Sequence, residues 1–200
     1  MRVYDLAEGY DETISKPNIA LDEAGTKAFI QEDLEYNYIS DMAFDTVNEE
    51  MLTMRSMDVT SKDWYFLALT EYGGSALLQT GEEEGYAYAS VHVINKGSQT
   101  YSVQLIQHLP LVKGYTYELS FDAKAEEERT LLSKLGGDDD NGWTAYAGQF
   151  EDTLTTEWQH YSQTFQMFSN TDGTARLEFN LGNENGEVKI ANVMVKVIAE

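Results

Sequence analysis

The chain has 200 residues, with 13 lysines and arginines against 35 aspartates and glutamates, and a formal net charge of −22 at pH 7. This charge argues against nucleic acid or an anionic membrane as partner, because both polyanions would be repelled. Hydrophobic residues make up 42% of the chain, enough for a folded core, and no stretch approaches the ~18 apolar residues of a membrane span. The chain has no cysteine, which excludes disulfides, thiolate nucleophiles and cysteine-based zinc sites.

The first 36 residues differ from the rest. They are acidic and rich in turn residues, and one short helix is suggested by the spacing of Ala24, Ala28 and Phe29, although Gly25 weakens it. We predict that residues 1–36 form an N-terminal extension or linker-derived segment and that residues 37–200 form one domain. The N-terminus lacks a basic start followed by an apolar run, so we expect no signal peptide.

From residue 38 onward the pattern is that of short β-strands. Apolar or alternating runs separated by turn residues occupy 64–69, 86–94, 103–106, 115–121, 174–181 and 191–197. Alternation of this length with a turn every ~8–12 residues indicates an all-β protein, an antiparallel sandwich or jelly roll. The alternating strands also have a polar face. If one sheet curves, that face becomes a groove whose polar and aromatic side chains suit the hydroxyls and flat C–H faces of a sugar chain.

Trp143 is the first candidate contact in such a groove. It follows an acidic loop, and it shares strand parity with Gln149 and Glu151, so a regular strand would place all three on one face. Tyr146 and Phe150 would then point to the core. The alternative is that Trp143 closes the edge of the sandwich, and the pattern alone leaves both open.

Two further segments have more than one interpretation. Asp138, Asp139, Asp140 and Asn141 form either a solvated acidic turn, which we favour, or a calcium loop, although the EF-hand spacing is absent. Tyr101 lies three residues before Gln104, so both face one ligand only if Tyr101 occupies the preceding turn or a bulge. From its pattern alone, Tyr101 is more typical of a core or rim aromatic.

No motif indicates an enzyme. His92, His108 and His160 lack zinc-ligand spacing, and the nucleophile-elbow, Walker and Rossmann motifs are absent. Carboxylates are abundant, so a pair suited to glycoside hydrolysis remains an alternative.

The region from Tyr101 onward resembles the family 4 carbohydrate-binding modules and their relatives in families 9, 16 and 22. The shared motifs are LVKGYTY at 111–117, FDA at 121–123, TEWQ at 156–159, FQM at 165–167 and FNLG at 179–182. The resemblance covers roughly residues 38–198. It implies a jelly-roll β-sandwich of two antiparallel sheets, with a concave cleft that binds single β-glycan chains.

The resemblance also implies individual site residues. Tyr101 and Trp143 match the two cleft aromatics of the family, and Gln104 matches the polar residue that follows the first of them. Gln149, Glu151 and Asn180 fall where polar cleft contacts occur. No catalytic residue is implied, and Ala191 stands where the family often has an aspartate that helps to hold calcium, so we expect no cofactor and no metal.

These observations give one leading expectation and two alternatives. We expect a non-catalytic module that binds a neutral β-glycan, such as β-1,4-glucan, mixed-linkage β-glucan or xylan. Its partners would be the polysaccharide and an attached glycoside hydrolase, and it would be extracellular or at the cell surface as part of a larger secreted protein. The alternatives are a jelly-roll glycosidase or lyase with a carboxylate pair, and a structural or adhesion spacer without a sugar site.

Overall fold

The structure is a computed structural model that describes residues 37–48, residue 54 and residues 57–199. The predicted extension and short helix in residues 1–36 lie outside this range, so the boundary at residue 37 stays a prediction. Among the described residues, no helix is long and apolar enough to cross a membrane.

Eleven strands in the described residues form two sheets. Sheet A contains, in spatial order, β1 (Val47–Asn48), β2 (Trp64–Ala68), β5 (Val103–His108), β10 (Arg176–Asn180), β7 (Arg129–Gly136) and β8 (Ala145–Leu154). Sheet B contains β3 (Ser75–Glu83), β4 (Tyr86–Asn95), β11 (Gly186–Ala199), β6 (Thr116–Ala125) and β9 (Gln159–Gln166). Short 3₁₀ turns lie at Thr70–Tyr72, Thr100–Ser102 and Asp139–Asn141.

The strand order confirms the predicted all-β jelly-roll sandwich. Strands far apart in sequence are neighbours, as where β10 lies between β5 and β7, and where β11 lies between β4 and β6. All pairs are antiparallel except β1 with β2, which run parallel. Such crossovers bring residues near 104, 134 and 178 together on one sheet.

The hydrophobic core lies between the sheets, and the alternation of the strands explains it. In β6, Tyr117, Leu119 and Phe121 have no solvent exposure, and Phe179 of β10 packs edge-to-face on Phe121 with ring centroids 5.1 Å apart. Burying large side chains on one face of each strand drives the two sheets together. The other face of each strand is left for solvent or for a ligand.

Strands β2, β5 and β10 are exceptions, because both faces of each are buried, and β2 shows how apolar side chains fill both sides. Trp64 packs in the main core against Phe44 and Phe179. Tyr65 and Leu67 point to the outer side of sheet A, where they join a second apolar cluster that we call the apolar cover. Its members are Met54, Met57, Tyr65, Leu67, Leu69, Tyr72, Tyr101 and Ile106. This double burial explains why residues 64–69 read as a continuous apolar run.

Candidate functional site

The register of sheet A brings four of the predicted contacts onto its outer face. Gln104 of β5 pairs with Asn180 of β10, which pairs with Leu132 of β7, which pairs with Glu151 of β8. In the neighbouring row, Glu178 of β10 pairs with Lys134 of β7, and Lys134 pairs with Gln149 of β8. Residues two apart on a strand share a face, so both rows lie on the same side.

Five side chains on this outer face form a connected cluster that we call the polar floor: Gln104, Lys134, Arg176, Glu178 and Asn180. Glu178 is its centre. Glu178 Oε1 lies 2.8 Å from Arg176 Nε and 3.2 Å from Lys134 Nζ. Glu178 Oε2 accepts hydrogen bonds from Gln104 Nε2 at 3.2 Å and from Asn180 Nδ2 at 3.4 Å. The carboxylate therefore neutralises one of two cations and orients two amides.

The two predicted amides lie within the floor rather than above it. Gln104 has no solvent exposure and Asn180 has 3%, and Gln104 Nε2 donates to Asn180 Oδ1 at 2.7 Å. Both hydrogens of the Gln104 amide thus have acceptors, while its Oε1 has no partner, and neither has Arg176 Nη2. Arg176 Nε and Glu178 Oε1 meet as an ion pair, and the floor otherwise contains one acceptor and one donor without a hydrogen-bond partner.

Trp143 covers one end of this floor. It precedes β8 in a turn in which Gly142 and Trp143 both have left-handed backbone conformations, with φ of 61° and 57°. Such a conformation costs a bulky residue about 1–3 kcal/mol and is typical of functional sites. The indole is 38% exposed, and the Arg176 guanidinium lies 5.0 Å from its ring centroid. One face of the ring is thus backed by the floor, which contradicts a position in the core.

The position of Trp143 arises differently from the predicted regular strand. Strand β8 begins at Ala145, and the register shifts between the pairs Gly136–Ala145 and Lys134–Gln149. The alternation of strand faces therefore cannot be extended from Gln149 back to Trp143, although Trp143, Gln149 and Glu151 lie on the same side of the sheet. As predicted, Tyr146 and Phe150 pack against the core.

Buried polar groups hold the Trp143 turn in place. Asp138 O accepts from Trp143 N at 2.9 Å, and the Asn141 amide donates to the carboxylates of Asp138 and Asp172. Tyr146 donates its hydroxyl hydrogen to Asp172 at 2.7 Å, and burial, helped by this bond, raises the pKa of Tyr146. The prediction of a solvated acidic turn is therefore wrong for Asp138, whose side chain is buried.

Tyr101 lies in the 3₁₀ turn before β5, which is the placement that its three-residue spacing from Gln104 required. It meets Tyr72 edge-to-face at 5.2 Å and packs on the apolar cover. Tyr101 is near the Asn180 end of β10 and Trp143 is near the Arg176 end. At ~3.3 Å per residue these ends are about 13 Å apart, too far for the two rings to sandwich a single sugar.

The sequence analysis missed Lys134, Arg176 and Glu178. Arg176 and Glu178 share strand parity with Asn180 in an alternating run, so that parity could have identified them. Lys134 lies in β7, which was not recognised as a strand. His108 also lies in this region, opposite Arg176 in the register. Its Nδ1 contacts Thr174 O at 2.9 Å, and burial lowers its pKa.

No group of three or more His, Asp or Glu residues that could hold a metal ion occurs in the part of the chain that the structure describes. The expectation of no cofactor and no metal stays a prediction.

Solved structures with the same fold include sugar-binding proteins. A family 4 carbohydrate-binding module described as "CBM4 structure and function" is 26% identical, with 80% of this chain and 99% of that chain covered and a TM-score of 0.64. A putative sugar binding protein from Bacteroides thetaiotaomicron is 16% identical, with coverages of 82% and 100% and a TM-score of 0.58. An arabinose-bound α-L-arabinofuranosidase is 12% identical, covers 67% of this chain and 23% of its own, and has a TM-score of 0.51. The last two show the fold alone.

No curated protein sequence is significantly similar to the chain. The model of the family CBM_4_9, described as a carbohydrate binding domain, matches residues 65–186. The match spans more than half of the chain and includes β5, β7 and β10, the strands that carry the polar floor. The protein therefore belongs to the CBM_4_9 family of carbohydrate-binding domains.

Proposed function

We propose that this domain is a non-catalytic module that binds single chains of a neutral β-glycan on the outer face of sheet A. The candidate ligands are β-1,4-glucan, mixed-linkage β-glucan and xylan. The direct contacts would be Trp143, Tyr101, Gln149 and Glu151, while the buried amides of Gln104 and Asn180 would support the site from within the floor.

The observation that carries this proposal is the chemistry of the polar floor. Its two cations share Glu178, and the carboxylate of Asp138 also acts on Arg176, so little net charge remains. The side chains that a ligand can reach beside the floor are the exposed Trp143, Gln149 and Glu151. A hydroxyl group both donates and accepts, so it can hydrogen-bond the Gln149 amide and the Glu151 carboxylate, whereas a ligand carboxylate only accepts and would be repelled by Glu151. A neutral polyhydroxylated ligand therefore fits best.

The aromatic side chains give the proposed site its length. Trp143 and Tyr101 belong at opposite ends of the floor, so they would contact different sugar rings of one chain. Aromatic rings pack well on the flat C–H faces of pyranoses. The apolar cover closes the β2 side of the outer face and β10 is buried throughout, so the open part of this face lies at β8 and at the partly exposed Thr130 and Lys134 of β7.

The module would act by raising effective concentration. Attached to a glycoside hydrolase, it would hold the enzyme on its polysaccharide without adding chemistry. This role would place it outside the cell or on the cell surface, as part of a larger secreted protein.

A binding and hydrolysis experiment tests the proposal. The purified chain is titrated with oligosaccharides of β-1,4-glucan, mixed-linkage β-glucan and xylan, and the same mixtures are assayed for new reducing ends. We expect saturable binding of at least one ligand and no release of reducing ends. Release would support the glycosidase alternative, while an absence of binding across a wider glycan array would support a spacer domain.

A further inference from the structure

Glu178 touches every other member of the polar floor. We propose that Glu178 is the positioning residue of the glycan site, setting both the amide pair and the aromatic platform without needing to touch the ligand. This inference rests on the proposed function, because a positioning residue requires a site to position.

Burial makes the four contacts of Glu178 obligatory. Its side chain is only 4% exposed, and a buried carboxylate is stable only when cations and hydrogen-bond donors replace its lost hydration. Both oxygens are used, Oε1 by Arg176 and Lys134, and Oε2 by Gln104 and Asn180. The four partners lie on β5, β7 and β10, so the Glu178 side chain connects side chains of three strands.

The contact with Arg176 determines the orientation of the Trp143 platform. The guanidinium is planar, and its Nε lies against Glu178 Oε1 at 2.8 Å while its carbon lies 5.0 Å from the centroid of the indole. A guanidinium held in this way presents a fixed face to the ring. Trp143 thus depends on Glu178 through Arg176, and only the other face of the indole remains for a sugar.

The contacts with the amides determine the hydrogen-bonding pattern of the floor. Because Glu178 Oε2 accepts from both amide nitrogens, the NH₂ groups of Gln104 and Asn180 turn toward it. Gln104 Oε1 is then left as the unmatched acceptor. Without the carboxylate, the Gln104 amide could rotate by half a turn and present a donor instead.

The chain contains a matched control on its other face. Glu83 also bridges two cations, Lys124 and Lys189, each at 2.6 Å, and Lys124 lies 5.4 Å from the ring centroid of Trp158. Glu83 has the same charge and the same number of ion pairs as Glu178. It lies on sheet B, which carries none of the predicted contacts.

The experiment compares Glu178→Gln with Glu83→Gln. The indole N–H resonances and the side-chain amide resonances are recorded by NMR, with Trp143→Phe used to assign the Trp143 signal. We expect Glu178→Gln to shift the Trp143 indole and the Gln104 amide signals. We also expect it to weaken binding of the glycan that the wild-type protein binds about tenfold. Glu83→Gln should shift only the Trp158 indole and leave affinity unchanged. The shorter carboxylate of Glu178→Asp should restore part of both losses.

The outcomes separate this inference from the proposed function. If wild-type protein binds a glycan, and folded Glu178→Gln has wild-type affinity and unshifted Trp143 and Gln104 signals, the inference is wrong. If wild-type protein binds no glycan, the proposed function fails and so does the inference. Should Glu178→Gln not fold, Glu178→Asp takes its place, and a folded Glu178→Asp with wild-type affinity and unshifted Trp143 and Gln104 signals would overturn the inference; failure of both to fold would make Glu178 a folding residue and overturn it as well.

Discussion

The outer faces of the two sheets carry similar sets of residues in different surroundings. Each has a glutamate between two cations and a tryptophan beside one of those cations. On sheet A the Glu178 side chain is 4% exposed and Trp143 has an open face. On sheet B the Glu83 side chain is 28% exposed, and Trp158 is half-buried, stacked on Tyr86 at 4.5 Å. The same residue types therefore give an open platform on one face and a packed cluster on the other.

The difference teaches what burial does to an ion cluster. The hydrogen bonds from Lys124 and Lys189 lower the pKa of Glu83, but the Glu83 side chain is 28% exposed, so water and salt screen these pairs more than those of Glu178. Buried Glu178 cannot exchange its partners for water, so its contacts impose a geometry. Sheet A has the arrangement of a preorganised site, and sheet B has that of a solvated surface.

Removing each tryptophan should separate the two faces most strongly. We expect Trp143→Ala to weaken glycan binding at least about tenfold with little change in melting temperature, since an exposed aromatic contact of about 1–3 kcal/mol is lost. Trp158→Ala should leave affinity unchanged and lower the free energy of unfolding by about 2 kcal/mol, because its stacking on Tyr86 is lost. Calorimetric titration and thermal unfolding measure both. An unfolded Trp143→Ala, or one with full affinity, would contradict the assignment of the platform.

The choice of ligand should follow the charge balance of the polar floor. We expect a neutral β-glucan oligosaccharide to bind with little dependence on salt, because stacking and hydrogen bonds to hydroxyls are weakly screened. An oligouronate should bind poorly at low salt, since the chain carries a net charge of −22 and Glu151 adds a local negative charge. The measurement is calorimetric titration at low and high NaCl. Tight uronate binding at low salt that collapses at high salt would show that Arg176 and Lys134 act as a basic groove.

The buried histidine of sheet A offers a test by pH. Burial lowers the pKa of His108, beside Arg176, Asp138 and Asp172, so the unfolded chain takes up this proton before the folded chain does. The free energy of unfolding should therefore fall as the pH drops from about 7 to about 5. We expect His108→Gln to flatten this dependence. Denaturant titrations at several pH values test this, and an unchanged slope in His108→Gln would contradict it.

The smallest expected effect is that of metal removal. Because the resemblance to family 4 modules implies a calcium-holding aspartate at the position of Ala191, we expect EDTA to leave both the affinity for glycan and the melting temperature unchanged. Magnesium-saturated EDTA serves as the control for ionic strength. A large loss of stability on chelation, reversed by added calcium, would reveal a site built from other oxygen ligands.

Much of the fold could be predicted because its strands alternate clearly. Residues 115–121, 174–181 and 191–197 became parts of β6, β10 and β11, and the jelly-roll prediction is confirmed. Strands β3, β7 and β9 were not identified. Ser75–Glu83 and Arg129–Gly136 include charged or small residues within short apolar runs, so their periodicity is weak.

The candidate site was less predictable because it depends on register. Gln104, Gln149, Glu151 and Asn180 were placed by resemblance, and the structure brings them onto one face, while their contact with sugar stays a prediction. Pairings such as Lys134 with Glu178 join residues 44 positions apart, and no local pattern specifies them. The turn at Trp143 also escapes periodicity, because two left-handed residues interrupt the alternation.

The central position of β11 has a mechanical consequence. This 14-residue strand is hydrogen-bonded to β4 on one side and β6 on the other, and Tyr38 N donates to Val195 O within it. The ladder with β4 ends at Ala191, so a pull on Ala199, with a polysaccharide held on sheet A, would first load the β6 ladder and the contacts from Asn37 and Tyr38. Both ladders would bear the load together only after the strand had come free back to Ala191, so the domain should yield in two steps, the weaker one first.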